Sequence, residues 1–451
     1  MSPVSRIRTQ NAVFLALALG FLAFAMFPGR FSGDEISQYR QGLNTHFTDA
    51  TSVWTSALLG MLADVAPGPG PMFLVQLLVW MVGVWGLSDA LILSGRTAAG
   101  QAISVLCAAP LLTFGFFDVQ KDAWLTALLA LLAAAGARRI LLGARTTLLS
   151  GAGLALAFLF ALDSRHNALF ALMPLALLFW PPASLRLRPL LTTLVIASAV
   201  VLAGRTVLNR VNHGPLKADQ AHFAYSLMVY DLAGITVRAG EDASRGLFPA
   251  FVDQARRCYS IHEWDGFQGG ACQSTGLAAQ QLMTSAEGRR ALAKAWAAGA
   301  ARHPVAYLTH RARHFGCHLG LGCARVHQVL SAGWLPRPWD EPQMRLTGSA
   351  RILGTLAAWL WSGPLGSGLL WLGLLSLEAL TGALTLRREG RDPTALLTLA
   401  VGASGLVYLA AFAVVSIADQ MRYLLPVIFL GLVGTPLAIG TLARSWKGRA
   451  A

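Results

Sequence analysis

Charge is what this sequence lacks. Charged residues occupy 13% of 451 positions and hydrophobic ones 55%, whereas ordinary soluble domains carry about 25% charged residues. That scarcity excludes a conventional soluble surface for most of the chain. Segments of about ten residues alternating polar and apolar are missing, which excludes a transmembrane β-barrel. No dense Lys/Arg tract with interleaved aromatics occurs, so the net charge of +14 is not a nucleic-acid footprint. Internal repeats, low-complexity tracts and an inverted pair of broken helices are also missing, which weakens a secondary-transporter reading.

What remains is a series of apolar runs, several near the roughly 18 to 20 residues that a helix needs to cross about 30 Å of hydrocarbon. The pattern predicts an all-α polytopic membrane protein with about ten spans, near 11–29, 72–93, 98–117, 122–137, 147–162, 167–180, 190–208, 365–386, 394–416 and 424–443. Arg6 and Arg8 precede the first run, which lacks a small-residue cleavage site and reads as a retained helix with a cytoplasmic N-terminus. Every cytoplasmic connection is then basic: Arg96, then Arg138, Arg139 and Arg145, then Arg186 and Arg188, then Arg387, Arg388 and Arg391, and the tail with Arg444, Lys447 and Arg449. That is the positive-inside rule.

Counting Ala350 to Trp361 as a span would put Arg387, Arg388 and Arg391 outside. It is short, and the Gly363-Pro364 break follows it, so it reads as an interfacial or re-entrant helix. The chain thus divides into residues 1–208, a membrane module of about seven spans with an outer loop at 30–71; residues 209–349, a mainly helical outer domain; and residues 350–451, the interfacial helix with about three spans. The first loop carries amphipathic stretches around Ile36 to Phe47 and Thr51 to Val65, and closes in Pro67-Gly68-Pro69-Gly70-Pro71.

Cysteine is scarce too. Cys107 lies in an apolar run, while Cys258, Cys272, Cys317 and Cys323 all fall in the outer segment. An even number in an exported segment suggests two disulfides; the expected pairing is Cys258 with Cys272 and Cys317 with Cys323, although four cysteines allow three connectivities. His310, His314 and His318 repeat every four residues near Cys317, Cys323 and His327, a spacing that offers a zinc arrangement but matches no standard finger.

The scarce charges gather at the outer ends of the spans. Asp34 and Glu35 follow the first helix; Asp118, Lys121 and Asp122 precede the fourth; Asp163, Arg165, His166 and Asn167 separate the fifth and sixth; Asp419, Arg422 and Tyr423 precede the last. Charges at membrane depth are costly and face one another or a polar cavity. Asp34 or Glu35 is a candidate general base for an acceptor hydroxyl, against the plainer reading of a solvated loop start. Lys121, Arg165 and Arg422 are candidates for holding a phosphate leaving group, against the plainer reading of interfacial cations paired with Asp122 and Asp163. Arg311 and Arg313 lie near the end of a basic helix in the outer segment, where they can meet lipid phosphates or a substrate diphosphate. Glu378 and Asp89 read as interior polar contacts near Arg387 and Arg96.

These features resemble the GT-C class of integral membrane glycosyltransferases. The likeness is carried by Asp34-Glu35 after helix one, Gln120-Lys121-Asp122 and Arg165-His166-Asn167 at span ends, Asp419 to Tyr423 before a late span, and the outer helix with Trp296, Pro304, Tyr307-Leu308 and Arg311. The resemblance implies a GT-C-like bundle and inverting transfer of a sugar from a polyprenyl-phosphate donor to a cell-envelope glycan, lipid or protein. Asp34, or failing that Glu35, would deprotonate the acceptor; Lys121, Arg165 and Arg422 would hold the donor phosphate. Tyr39, Asp118, Asp122, His166, Asn167, Arg311, Arg313 and Tyr423 would contact substrate. It also implies a multi-pass bacterial inner-membrane protein, in contact with membrane lipids and working on the periplasmic face, with no certain cofactor and room for a divalent cation. A His-Pro-Pro closing motif in the first loop, known in better-studied members, is absent. Alternatives are a lipid-linked polysaccharide polymerase or ligase, and a lipid or sugar transporter or flippase.

Overall fold

The computed structural model describes residues 2–31, 33–181, 187–323, 348–390 and 392–450. Arg186, His327 and Arg391 lie outside them, as do the side chains of Lys447 and Arg449. Among the described residues all regular structure is helical, and seven helices are long and apolar enough to cross a membrane.

Helix α1 (Pro3–Met26) starts with the Ser2 side chain accepting from the Ser5 N–H and with Pro3 in its first turn, which satisfies one orphan donor and removes another. Helices α2 (Gly33–Asn44) and α3 (Val53–Ala63) form a hairpin in the first loop. Their backbones touch at Gly42 and Gly60, where a Cβ on Gly42 would stand 2.6 Å from the Gly60 nitrogen. Helix α4 (Gly70–Leu93) returns through the bundle, followed by α5 (Thr97–Ala108) and α6 (Lys121–Leu142). Helices α4 and α6 also meet at a glycine: a Cβ on Gly83 would lie 2.7 Å from the Ala130 carbonyl carbon.

Three of the ten expected spans are shorter helices. Helix α5 has 12 residues, about 18 Å at 1.5 Å per residue, and the chain then runs irregularly to a 3-10 turn at Phe114–Phe117. Buried side chains serve the carbonyls this break leaves open. Trp80 Nε1 donates to Cys107 O (3.1 Å), Trp361 Nε1 to Leu111 O (3.0 Å) and Gln76 Nε2 to Phe116 O (3.0 Å). Non-helical backbone is tolerated at membrane depth when protein groups satisfy it in this way. The other two short elements are α7 (Leu148–Ser164) and α8 (Ala168–Leu175), which contains Pro174 and tightens into a 3-10 turn ending at Leu178. Helix α9 (Leu187–His213) follows.

The segment from Ala224 to Leu319 builds its own core. Helices α10 (Ala224–Ala239), α11 (Phe251–Cys258), α12 (Gln273–Thr284), α13 (Ala286–Arg302) and α14 (Pro304–Leu319) surround Tyr230, Phe248, Phe251, Phe267 and Leu292, apart from the main bundle core. Cys258 and Cys272 stand at disulfide distance with Cα atoms 6.4 Å apart, and Cys317 and Cys323 do so at 5.2 Å. The chain resumes at α15 (Gly348–Ser362), whose Ser349 hydroxyl donates to Ala25 O at the end of α1 (2.9 Å). Helices α16 (Gly368–Glu389), α17 (Pro393–Val415) and α18 (Leu425–Ala450) complete the bundle.

The two ends of the bundle differ in chemistry. At one, Asp89 takes Arg8 at 2.7 Å and Arg138 at 3.4 Å, and Asp392 takes Arg444 at 3.3 Å with Arg96 at 4.0 Å. Asp89 therefore pairs with Arg8 and Arg138 instead of Arg96. Glu378 accepts from the Thr435 hydroxyl on α18 at 3.0 Å; nine residues of helix, about 13 Å, separate it from Arg387. The other end carries the cluster described next.

Candidate active site at one end of the bundle

Four separate segments deliver the charges, and a buried backbone link sets their spacing. Val119 N donates to Arg30 O at 2.9 Å, and the Arg30 guanidinium holds Asp118 at 2.6 Å with both side chains buried. This ties the entry of α2 to the entry of α6. Four residues past Arg30 comes Asp34, and three past Asp118 comes Lys121, so the two side chains meet: Lys121 Nζ lies 3.1 Å from Asp34 Oδ2.

Arg422, in the 3-10 turn Met421–Leu424 that leads into α18, reaches the same oxygen at 2.9 Å and Glu35 at 3.8 Å. Arg165, where α7 ends, is bonded to the fully buried Asp122 of α6 and lies 3.9 Å above the Tyr423 ring, within cation–π range. Lys121, Arg165 and Arg422 thus balance Asp34, Glu35 and Asp122 in one contiguous group.

The two acids of the first loop are not equivalent. The Asp34 side chain is 40% exposed and that of Glu35 is 1% exposed, because successive residues on α2 point to different faces and Glu35 points into the protein. Lys121, with Arg422 beside it, holds the Asp34 carboxyl well below the usual carboxylate range against the opposing effect of burial. Ionised and half-exposed, Asp34 is the acid of the pair that solvent reaches.

The rim comes from α9 and the helical unit α10–α14. Arg205 on α9 stands 3.4 Å from His166 Nδ1, and His166 stacks with Phe223 at 6.3 Å between ring centroids. The His166 side chain is exposed at this rim. Phe223 and Tyr225 pack edge-on against Trp264. Next to Trp264, Asp265 is exposed and feels both Asp34 and Arg422. That unit is fastened here by backbone pairing, Trp264 N to Ile417 O (3.0 Å) and Asp419 N to His262 O (2.9 Å). His262 Nδ1 adds a 2.8 Å contact to Asp419.

Other expected residues take no part in the Asp34–Lys121–Arg422 contacts. Tyr39 is buried and its hydroxyl accepts from Gly68 N at 3.0 Å, pinning the Pro/Gly turn. Asn167 is buried at the start of α8. Arg311 is buried, bound to Asp231 (2.6 Å) and to Ser416 O (2.6 Å), where it joins the α10–α14 unit to the end of α17. Arg313 is exposed on α14. Asp163 caps α3, taking Ser52 Oγ (2.6 Å), Trp54 N (2.9 Å) and Asn212 Nδ2 (3.0 Å). Arg165 is thus left to Asp122, and Lys121 to Asp34.

Arg30, Arg205 and Asp265 were not singled out by sequence. Arg205 carried a usable signal, a cation inside an apolar run; Asp265 had none, because its position follows only from the pairing of 262–264 with 417–419. Asp34 and Glu35 do not fit a divalent-cation site in this arrangement, since Arg422 faces both and Lys121 also faces Asp34. No protein-family model, curated protein or solved structure matches this chain.

Proposed function

We propose that this protein is a membrane glycosyltransferase that moves a sugar from a polyprenyl-phosphate donor to a cell-envelope acceptor on the periplasmic face of a bacterial inner membrane. One observation carries the reading: a solvent-open carboxylate, Asp34, sits in the grip of Lys121 and Arg422 with Arg165 beside them. Three preorganised cations at a membrane end suit a phosphate that gains negative charge as its bond to the sugar breaks. In the resting arrangement Asp34 occupies two of them.

An arriving phosphate competes for Lys121 and Arg422. As they turn to it, Asp34 loses the contacts that depress its basicity, and it becomes able to take the acceptor hydroxyl proton as the new glycosidic bond forms. The donor phosphate leaves with the electron pair of the broken bond, so transfer by direct attack inverts the anomeric centre. Arginines at the opposite end of the bundle support a cytoplasmic placement of that end, and the two cysteine pairs of the outer unit suit an oxidising compartment.

A second reading, a lipid or sugar transporter or flippase, draws on the break after α5, since such proteins use interrupted helices near their substrate. Its ionisable groups belong near mid-membrane, whereas this cluster lies where α6 begins and α7 ends. Membranes containing the protein, supplied with a panel of polyprenyl phosphates bearing radiolabelled sugars, separate the two. Label in a covalent product supports transfer; intact donor appearing on the far side of the bilayer, with no product, supports transport.

A further inference from the structure

Among the described residues, one group of side chains has donor atoms spaced for a metal ion: His262, Cys317 and Cys323, all within 4.8 Å of one another. They come from two segments that the fold brings together. Cys317 is in the last turn of α14, and Gly320, at φ 77°, reverses the chain so that Cys323 returns to it; that left-handed conformation favours glycine. His262 belongs to the strip that pairs with residues 417–419.

The surroundings of His262 resemble those of a ligand. Its Nδ1 is 2.8 Å from Asp419 Oδ2, and a carboxylate on one ring nitrogen fixes the ring and leaves Nε2 for a metal, as metal-ligating histidines commonly do. The histidines of the HxxxH pattern are committed elsewhere. His310 is bound to Asp231 (3.1 Å) and the Tyr259 hydroxyl (2.9 Å), His314 to Ile261 O (2.7 Å) and the Tyr230 hydroxyl (3.1 Å), and His318 to the Ser416 hydroxyl (2.9 Å). The spacing that suggested zinc in the sequence thus selects the right cysteines and the wrong histidines.

We propose that the Cys317–Cys323 disulfide is the oxidised form of a soft-metal site, and that after reduction Cys317, Cys323 and His262 bind one divalent ion of the zinc class. A dithiol reductant supplies two electrons and two protons, opens the S–S bond to two thiols and leaves as its own disulfide. The metal ion then displaces both thiol protons to solvent. Two thiolates neutralise the divalent charge and the imidazole adds none, so the loaded site is neutral at the edge of an apolar body. Zinc bonds of about 2.3 Å to sulfur and about 2.1 Å to nitrogen put tetrahedral ligands roughly 3.5 Å apart. His262 needs to approach by about an ångström as the sulfurs separate, and the fourth position takes water. The site does not depend on the glycosyl-transfer reading.

The test uses full-length protein in detergent, reduced anaerobically with a phosphine (water supplying the oxide oxygen and the two protons), desalted and titrated with Co2+. The expected result is near-ultraviolet thiolate-to-cobalt absorbance and tetrahedral visible bands that saturate at one ion per chain and bleach on adding Zn2+. Unreduced protein gives no such spectrum. The Cys317→Ser/Cys323→Ser variant, or Cys323→Ser alone if the pair folds poorly by circular dichroism, loses the spectrum. His262→Gln weakens binding at least about tenfold, and Cys258→Ser/Cys272→Ser keeps it. An unchanged spectrum in Cys323→Ser overturns the proposal, as does the lack of one in reduced wild type whose thiols are shown free by titration.

Discussion

Asp34 and Arg422 are 388 residues apart in the chain and 2.9 Å apart in space. The contact joins the loop after α1 to the entry of the last helix, and Lys121, at the start of α6, completes it. The carboxylate read as a base and the cations read as phosphate ligands are therefore bonded to each other.

If Lys121 and Arg422 trade Asp34 for phosphate, removing either lowers the rate with donor by more than it lowers donor binding. Lys121→Met and Arg422→Met are each expected to cut turnover by about 100- to 1000-fold, the range for losing one preorganised donor to a developing anion. Arg422→Lys is expected to rescue little, because it loses the fork that spans Asp34 and Glu35. Steady-state kinetics over a range of donor concentration checks this, and a change confined to KM would contradict it.

Acid should loosen the fold in two stages. His314, fully buried beside Tyr230, is depressed to about 3, chiefly by that burial. Between the ordinary 6.5 and that value the unfolded chain binds a proton that the folded one does not, so stability falls as pH drops through that window. Asp34 acts later: its depressed carboxyl contributes stability above its ordinary value of about 3.9, and that contribution is lost as pH falls further. Thermal melts from pH 7 to 4.5 should show a declining midpoint, with a shallower decline in His314→Gln.

Gly42 sets the distance between α2 and α3, and with it the height of Asp34. Gly42→Val drives a side chain into the backbone at Ser56 and Gly60. Overpacking of this kind costs about 1–3 kcal/mol, measurable as a lower melting temperature. Because the hairpin carries Asp34 and leaves Lys121 and Arg165 on the bundle, activity in the folded fraction should fall while donor binding persists.

The sequence was most informative where physics is local. Apolar runs give the long helices, and arginines at their ends give the bundle its two faces. Asp34, Lys121, Arg165 and Arg422 were each visible as ionisable residues at span ends, a place where charge needs a reason. Their mutual pairing was not visible, because it depends on the Arg30–Asp118 link: Asp118 stood out as an expected substrate contact, and Arg30 was not singled out. Residues 98–117 read as one apolar span, and the chain breaks there because Trp80 and Gln76 of the neighbouring α4 and Trp361 of α15 satisfy the carbonyls left open. Tyr39 was expected at the substrate, and it stands against Gly68 because a turn of prolines and glycines has few donors and needs a fixed partner.

The most direct test of the central claim compares Asp34→Asn with Glu35→Gln in purified, correctly folded protein given labelled polyprenyl-phosphate sugar and a cell-envelope extract as acceptor. Loss of the base is expected to lower transfer by about 100- to 10,000-fold in Asp34→Asn, with donor binding retained. Glu35→Gln, altered at a buried position, should keep far more of its turnover. Wild-type transfer rates in Asp34→Asn would contradict the account.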